Sequence, residues 1–127
     1  MMPVLWVALG GAVGSAARYW VSGLVIAWAG PEFPWGTLAV NFVGSFLLAV
    51  LAQLGLSTTW LTPEAKLALA TGVMGGFTTY STFSLETFQY FDTGAWTLGI
   101  ANVVATVLGC LVATMFGFLF ARWLVSA

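Results

Sequence analysis

Apolar residues fill four long runs of this chain, and short segments rich in Pro, Gly, Ser, Thr or charge separate the runs. They cover approximately residues 4–29, 35–56, 62–92 and 95–125. Each run is as long as the roughly 20 apolar residues that an α-helix needs to cross a bilayer. The pattern predicts an all-α integral membrane protein with four transmembrane helices per chain, and residues 1–127 form a single predicted domain.

The third run contains a strong sign of irregular structure. Gly75-Gly76 lies about ten residues after the start of the run, near mid-membrane depth at about 1.5 Å per helical residue. Each glycine costs a helix about 1 kcal/mol relative to alanine, and the hydroxyl residues that follow compete for backbone hydrogen bonds. We therefore predict that the third helix is broken mid-membrane, with free carbonyl groups that suit hard cations. A continuous helix with a Gly-, Ser- and Thr-rich packing surface is the alternative.

Polar residues recur at four-residue spacing in the second and fourth runs, and residues at this spacing share one face of a helix. Amide side chains in hydrocarbon need partners and are expected to face the bundle interior or water. We expect the aligned residues to form a hydrated track, although each Ser or Thr has the alternative of bonding the carbonyl one turn earlier. The stripes contain Thr37, Asn41 and Ser45 in the second run, and Asn102, Thr106, Cys110 and Thr114 in the fourth.

The composition removes most other classes of protein. Hydrophobic residues make up 61% of the 127 residues and charged residues only 6%, against roughly 25% in an ordinary soluble domain. Soluble domains, disordered chains and nucleic-acid binders are excluded, because they need a polar surface, a high charge or a basic face. One Cys and no His exclude a disulfide within the chain and leave no evident catalytic constellation, so we expect no enzyme.

Few charges are available to set the orientation in the membrane. Four crossings place both termini and the second connection on one side, which holds Lys66 and Arg122, while the opposite side has no loop cation. This is a weak bias under the positive-inside rule. We hypothesise that the chain inserts both ways and pairs as an antiparallel dual-topology dimer, with a single topology as the alternative. Gly10-x-x-x-Gly14 adds weak support for close helix association.

Charged and aromatic side chains within the runs are candidates for function. Arg18 is expected to face an aqueous vestibule, Glu86 or another partner, or to snorkel to the interface. Glu86 lies beyond the break, where it sits at a pore mouth or snorkels as well. Tyr80 and Phe83 share a helical face, and the positive edges of their rings suit an anion, although an ordinary aromatic packing pair is the alternative.

Three blocks of sequence resemble the small fluoride channels of the Fluc, or CrcB, family. Together with the length and the four-helix layout, the resemblance covers essentially the whole chain. The blocks are Gly10-Gly11-x-x-Gly14-x-x-x-Arg18-Tyr19, Trp35-Gly36-Thr37-x-x-Val40-Asn41-x-x-Gly44 and Gly75-Gly76-Phe77-Thr78-Thr79-x-Ser81-Thr82-Phe83-Ser84-x-Glu86.

The resemblance implies an antiparallel homodimer in the lipid bilayer of a bacterial inner membrane, with two parallel pores that export fluoride passively from the cytoplasm. It also implies a structural sodium ion at the two-fold axis, held by the backbone carbonyls of Gly75 and Thr78 and not transported. Tyr80 stands where the family usually has Phe, which adds a hydroxyl group to the pore. The implied fluoride-pore residues are Asn41, Tyr80, Phe83, Thr37, Ser81, Thr106, Arg18 and Glu86.

Two other functions compete with a fluoride channel. A dual-topology small multidrug-type transporter needs a membrane-embedded carboxylate, typically in its first helix, but the first run here carries Arg18 and no acid. A non-conducting membrane assembly subunit would explain the glycine motifs but not the aligned Asn41 and Asn102. No Walker A motif is present, so this chain alone does not couple transport to ATP.

Overall fold

Four helical regions make up the computed structural model, which describes residues 2–127. No strand occurs within this range, so the predicted all-α fold is confirmed. The regions begin and end close to the predicted positions, and the third is divided into two helices. The helices are α1 (Met2–Ala29), α2 (Trp35–Ser57), α3 (residues 63–77), α4 (Tyr80–Asp92) and α5 (Trp96–Ser126).

Three of these helices, α1, α2 and α5, are long and apolar enough to cross a membrane. Neither half of the third region reaches the roughly 20 residues that a crossing needs, and α4 has only 13. A fourth crossing therefore has to combine α3 with α4.

Helix α3 is itself irregular. It opens with a short α-helical turn, Pro63–Lys66, continues as a π-helix over Leu67–Met74 and ends in a last turn, Gly75–Phe77. Thr62 caps the opening turn, since its hydroxyl accepts a hydrogen bond from Ala65 N at 3.2 Å. A π-helical stretch is rare, and such stretches occur frequently at functional sites.

The helix is interrupted between Phe77 and Tyr80. Thr78 (φ −83°, ψ 159°) and Thr79 (φ −152°, ψ 117°) are both extended. Thr79 then caps α4, because its hydroxyl accepts a hydrogen bond from Thr82 N at 3.2 Å. The depth of this interruption in a bilayer stays a prediction.

Glycines allow α1 to pack directly on the backbone of α3. A Cβ atom at Gly10 would collide with the Ala68 carbonyl, and one at Gly14 would collide with the Val73 carbonyl. Both glycines are buried. The Gly10-x-x-x-Gly14 motif, interpreted above as a weak sign of oligomerisation, thus forms a contact within one chain, because its face is covered by α3.

The interior mixes polar and apolar side chains, and the exterior is largely apolar. Buried polar side chains are nearly as numerous as buried hydrophobic ones, whereas large apolar side chains cover the outside. Trp28, for example, is 92% exposed at the end of α1. This distribution suits a chain whose outer surface meets lipid. The buried polar residues are Thr37, Asn41, Thr79, Thr87, Asn102 and Thr106.

Candidate functional site

Asn41 of α2 is bonded to the extended backbone at the interruption. Its Nδ2 donates to Thr79 O at 2.9 Å, and its Oδ1 accepts from Thr79 N at 2.7 Å. Both bonds are buried. One side chain therefore satisfies the two backbone groups that the interruption exposes, as buried polar groups require. The second Nδ2–H of Asn41 is not used by either bond.

The same contacts release two carbonyl groups from helical bonding. In a continuous helix, Thr79 N would donate to Gly75 O, and Thr82 N would donate to Thr78 O. Here Thr79 N donates to Asn41 Oδ1, and Thr82 N donates to Thr79 Oγ1. The carbonyls of Gly75 and Thr78 have therefore lost their usual donors. The side of the chain at Gly75 is open, since a Cβ built there would meet nothing within 4 Å.

An open cavity of about 700 Å³, lined by both polar and apolar side chains, lies beside the interruption. It collects predicted residues from α1, α2 and α4 in one place. It also contains Ser15 and Ser22, which the sequence analysis missed; with Arg18 they recur every three to four residues, and this spacing along α1 was the available signal. The polar residues that line the cavity are Ser15, Arg18, Ser22, Thr37, Thr79, Thr82 and Glu86.

Glu86 is bonded to α2 rather than to Arg18. Its Oε1 accepts from Thr37 Oγ1 at 2.8 Å, while its Oε2 is buried and has no hydrogen-bond partner among residues 2–127. Arg18 lines the first cavity, while an aqueous vestibule and snorkelling to the interface both stay predictions. Glu86 also lines a second cavity, of about 340 Å³, with Gln89 and Tyr90. It therefore lies between the first cavity and the end of α4.

The predicted aromatic pair is in contact, but only one ring is enclosed by this chain. The centroids of Tyr80 and Phe83 are 5.6 Å apart, and their planes are tilted by 58°. Phe83 is 7% exposed and Tyr80 is 80% exposed. Ser81 is exposed too, with its Oγ 3.4 Å from Thr79 Oγ1. Tyr80 and Ser81 therefore reach the surface of the single chain, whereas Phe83 does not.

The polar stripe of α5 separates into two parts. Asn102 Nδ2 donates to Thr87 Oγ1 at 2.9 Å, and Thr106 Oγ1 donates to Asn102 Oδ1 at 3.4 Å. Thr87 Oγ1 in turn donates to Phe83 O at 2.7 Å. Thr87 was missed by the sequence analysis, although its place one turn after Phe83 puts both on the same face.

The second part of the stripe bonds locally. Thr114 Oγ1 donates to Cys110 O at 2.9 Å, which is the bond one turn back that was the alternative for hydroxyl residues. On α2, Ser45 is half-buried. The aligned set therefore does not form one continuous track within residues 2–127.

The site offers hydrogen-bond donors, carbonyl oxygens and ring edges, which bind ions without covalent chemistry. No cluster of His, Cys, Asp and Glu that could hold a metal occurs in the part of the chain that the structure describes.

Comparison with known proteins agrees with the resemblance. Residues 5–118 match the family described as CrcB-like protein, Camphor Resistance (CrcB). A protein of Geobacter sulfurreducens named fluoride-specific ion channel FluC is 48% identical over 124 residues, which cover 98% of this chain and 100% of that protein. A protein of the same name from Sorangium cellulosum is 46% identical over 121 residues, with 95% of each chain covered. The chain therefore belongs to the CrcB family of membrane proteins.

Proposed function

We propose that this protein is a fluoride-specific ion channel. The observation that carries the proposal is the buried amide of Asn41 at an interrupted helix, beside a hydroxyl-lined cavity, in a chain nearly half identical to proteins named fluoride-specific ion channels. An anion that leaves water needs donors in place of its hydration shell. Amide N–H groups, hydroxyl groups and ring edges supply such donors without a formal charge that would hold the ion.

The predicted pore residues divide into three roles in this proposal. Arg18 makes the cavity attractive to anions. The free N–H of Asn41 and the Ser81 hydroxyl receive fluoride from it, and the ring edges of Tyr80 and Phe83 accompany the ion beyond. The path is bordered by Thr37, Glu86 and Thr106. The negative charge of Glu86 repels anions unless hydrogen-bond donors such as Thr37 offset it.

An antiparallel dual-topology homodimer completes the path. The exposed ring of Tyr80, the exposed Ser81 and the open backbone at Gly75 all lie on surfaces that one chain leaves uncovered. A second copy would cover polar groups that lipid cannot satisfy. The sparse loop charges favour this arrangement, because they do not impose one orientation.

A structural sodium ion at the dimer centre fits the backbone of the interruption. The interruption leaves the carbonyls of residues 75–78 without their helical donors, and neutral carbonyl oxygens suit a hard cation. The family resemblance points to Gly75 and Thr78 among them. Sodium, when bound, would supply positive charge that offsets these oxygens and joins the two interruptions. Replacing sodium chloride with choline chloride should therefore lower the thermal unfolding temperature of the purified dimer. An unchanged unfolding temperature would reject this ion site.

Export is the direction that the chemistry favours. Hydrogen fluoride crosses membranes as a neutral acid and dissociates at the higher internal pH, which traps fluoride inside. A membrane potential that is negative inside then drives the anion outward through an open channel.

Fluoride release from liposomes tests the proposed function. Purified protein reconstituted into liposomes loaded with potassium fluoride and potassium chloride should release fluoride within seconds of valinomycin addition and retain chloride. Ion-selective electrodes report both anions, and protein-free liposomes are the control. Fluoride that stays inside equally with and without protein would overturn the proposal. Release of a hydrophobic cation in exchange for protons, with fluoride retained, would instead support a small multidrug-type transporter.

A further inference from the structure

Thr87 has no role in the proposed pore, yet it joins the two helices that carry Phe83 and Asn102. It is buried in α4, and both functions of its hydroxyl are used within the chain. The hydroxyl proton goes to Phe83 O at 2.7 Å, and the oxygen accepts from Asn102 Nδ2 at 2.9 Å. No other buried hydroxyl of α4 connects to α5.

These bonds fix which end of the Asn102 amide faces α4. A hydroxyl has one proton, and that of Thr87 is committed to the Phe83 carbonyl. Its oxygen can therefore only accept, so the amide group that faces it has to be the NH₂ group. The other end of the amide, Oδ1, then accepts from Thr106 Oγ1 at 3.4 Å. The three bonds run in one direction: Thr106 donates to Asn102 within α5, Asn102 donates across to Thr87 of α4, and Thr87 donates to Phe83 O within α4.

We propose that Thr87 is a positioning residue of the fluoride path, which holds the Asn102 amide with its positive NH₂ end towards Thr87 on α4, one turn after Phe83. The inference rests on the proposed function, because it concerns an anion that passes this amide. Asn102 is 1% exposed, so water does not compensate for a flipped amide. Without the hydrogen bond to Thr87, the amide is free to turn its carbonyl oxygen towards α4. The negative end of the amide dipole would then face an anion beside Phe83.

Replacing Thr87 with Val removes the hydroxyl and keeps the shape of the side chain. Thr87→Val should slow fluoride release from liposomes about tenfold. The Asn102 NH₂ group loses its acceptor, and one unsatisfied buried polar group is enough to raise the barrier to ion passage by this amount. Thr87→Ser keeps the hydroxyl and should restore release close to that of the unmodified protein. Thr114→Val is the matched control, because Thr114 makes the same bond one turn back but has no amide partner. It should release fluoride as fast as the unmodified protein.

A double variant separates positioning from a general weakening of the fold. If Thr87 acts through the amide, Asn102→Ala and Asn102→Ala/Thr87→Val should release fluoride at equal rates. Equal elution volumes in size-exclusion chromatography verify that each variant is folded and assembled. Release by Thr87→Val at the rate of Thr114→Val, or a further loss in the double variant, would overturn the inference while the proposed function stands. No release by the unmodified protein would overturn both.

Discussion

At the scale of single residues, Asn41 has a structural role in addition to its proposed role in the fluoride path. Its two hydrogen bonds to Thr79 hold the extended backbone at the interruption, and they divert the N–H group that would otherwise bond to Gly75 O. The same amide retains one N–H for an anion. Structure and proposed conduction thus depend on one side chain, so a substitution there has to be designed to separate them.

Asn41→Asp is the most informative change at this position. It keeps Oδ1 for Thr79 N but replaces the donor to Thr79 O with a carboxylate oxygen. We expect fluoride release to fall at least about tenfold, because a buried negative charge beside a carbonyl repels the anion and leaves the carbonyl unsatisfied. The liposome assay measures the rate. Gln53→Glu, the same chemical change at a half-buried side chain near the end of α2, is the control. Unchanged release by Asn41→Asp would remove Asn41 from the path.

Substitutions of Tyr80 separate the contribution of its ring to fluoride release from the contribution of its hydroxyl group. Its ring lies 5.6 Å from that of Phe83, and its hydroxyl makes no hydrogen bond among residues 2–127. Tyr80→Phe should therefore release fluoride at least as fast as the unmodified protein, whereas Tyr80→Leu should be slower because it lacks the positive ring edge. Phe88→Leu, which removes an exposed ring of α4 away from the cavity, is the control. Equal rates for Tyr80→Phe and Tyr80→Leu would exclude a role for the ring edge.

At the scale of helices, the third region is where local sequence and tertiary contacts meet. Gly75, Gly76 and the hydroxyl residues after them disfavour a continuous helix, but their propensities do not specify where the backbone becomes extended. Asn41, which is far away in sequence, provides the two bonds that make Thr79 the point of interruption. The low helix propensity of this segment and the hydrogen bonds from Asn41 together produce the extended backbone at Thr79.

The close contact of α1 with α3 predicts a difference between adjacent glycines. A Cβ at Gly10 would collide with the Ala68 carbonyl, whereas one at Gly11 would meet nothing within 4 Å. Gly10→Ala should lower the free energy of unfolding by about 1–3 kcal/mol, the usual cost of overpacking. Gly11→Ala should be neutral or slightly stabilising, since alanine favours a helix. Thermal unfolding in detergent compares the two. Equal unfolding temperatures would mean that α1 does not pack on α3 in this way.

The helices and the site differ in how far the sequence predicts them. The bounds of α1, α2 and α5 follow from hydrophobic runs ended by Pro, Gly and Thr, which act locally. The π-helical stretch Leu67–Met74 has no such local signal, because its register depends on how the backbone fits against α1. The role of Thr87 also depends on another helix. A threonine in a membrane helix normally bonds the carbonyl one turn back, and only the contact with Asn102 of α5 gives Thr87 a second role.

At the scale of the whole molecule, the unusual feature is a surface that one chain leaves unfinished. Groups of the proposed path reach the exterior at Tyr80, Ser81 and Gly75, whereas large apolar side chains suited to lipid cover much of the remaining exterior. At the predicted mid-membrane depth, a monomer would expose backbone carbonyls at the interruption to hydrocarbon, which costs several kcal/mol per group. The proposed pairing of two chains across this surface would remove that cost.

Two variants whose added loop charges impose opposite orientations in the membrane test whether the proposed dimer is antiparallel. Thr59→Lys adds positive charge to the α2–α3 connection, and Thr93→Lys adds it to the α4–α5 connection on the opposite side; both positions are exposed. Because positive loops stay in the cytoplasm, the two variants should insert in opposite orientations. Each alone should then fail to protect a fluoride-sensitive bacterium, while the two expressed together should restore growth on fluoride. Reporter fusions at the C-terminus verify each orientation.

A parallel dimer or a single topology predicts a different pattern. In either case the variant that matches the native orientation would protect on its own, and adding the other would not improve growth. Thr59→Gln and Thr93→Gln are the controls, since they enlarge the same side chains without a charge, and each should protect alone. Growth with either lysine variant alone, at verified single orientation, would therefore reject antiparallel pairing. It would leave intact the interruption at Thr78 and Thr79, which Asn41 holds within each chain.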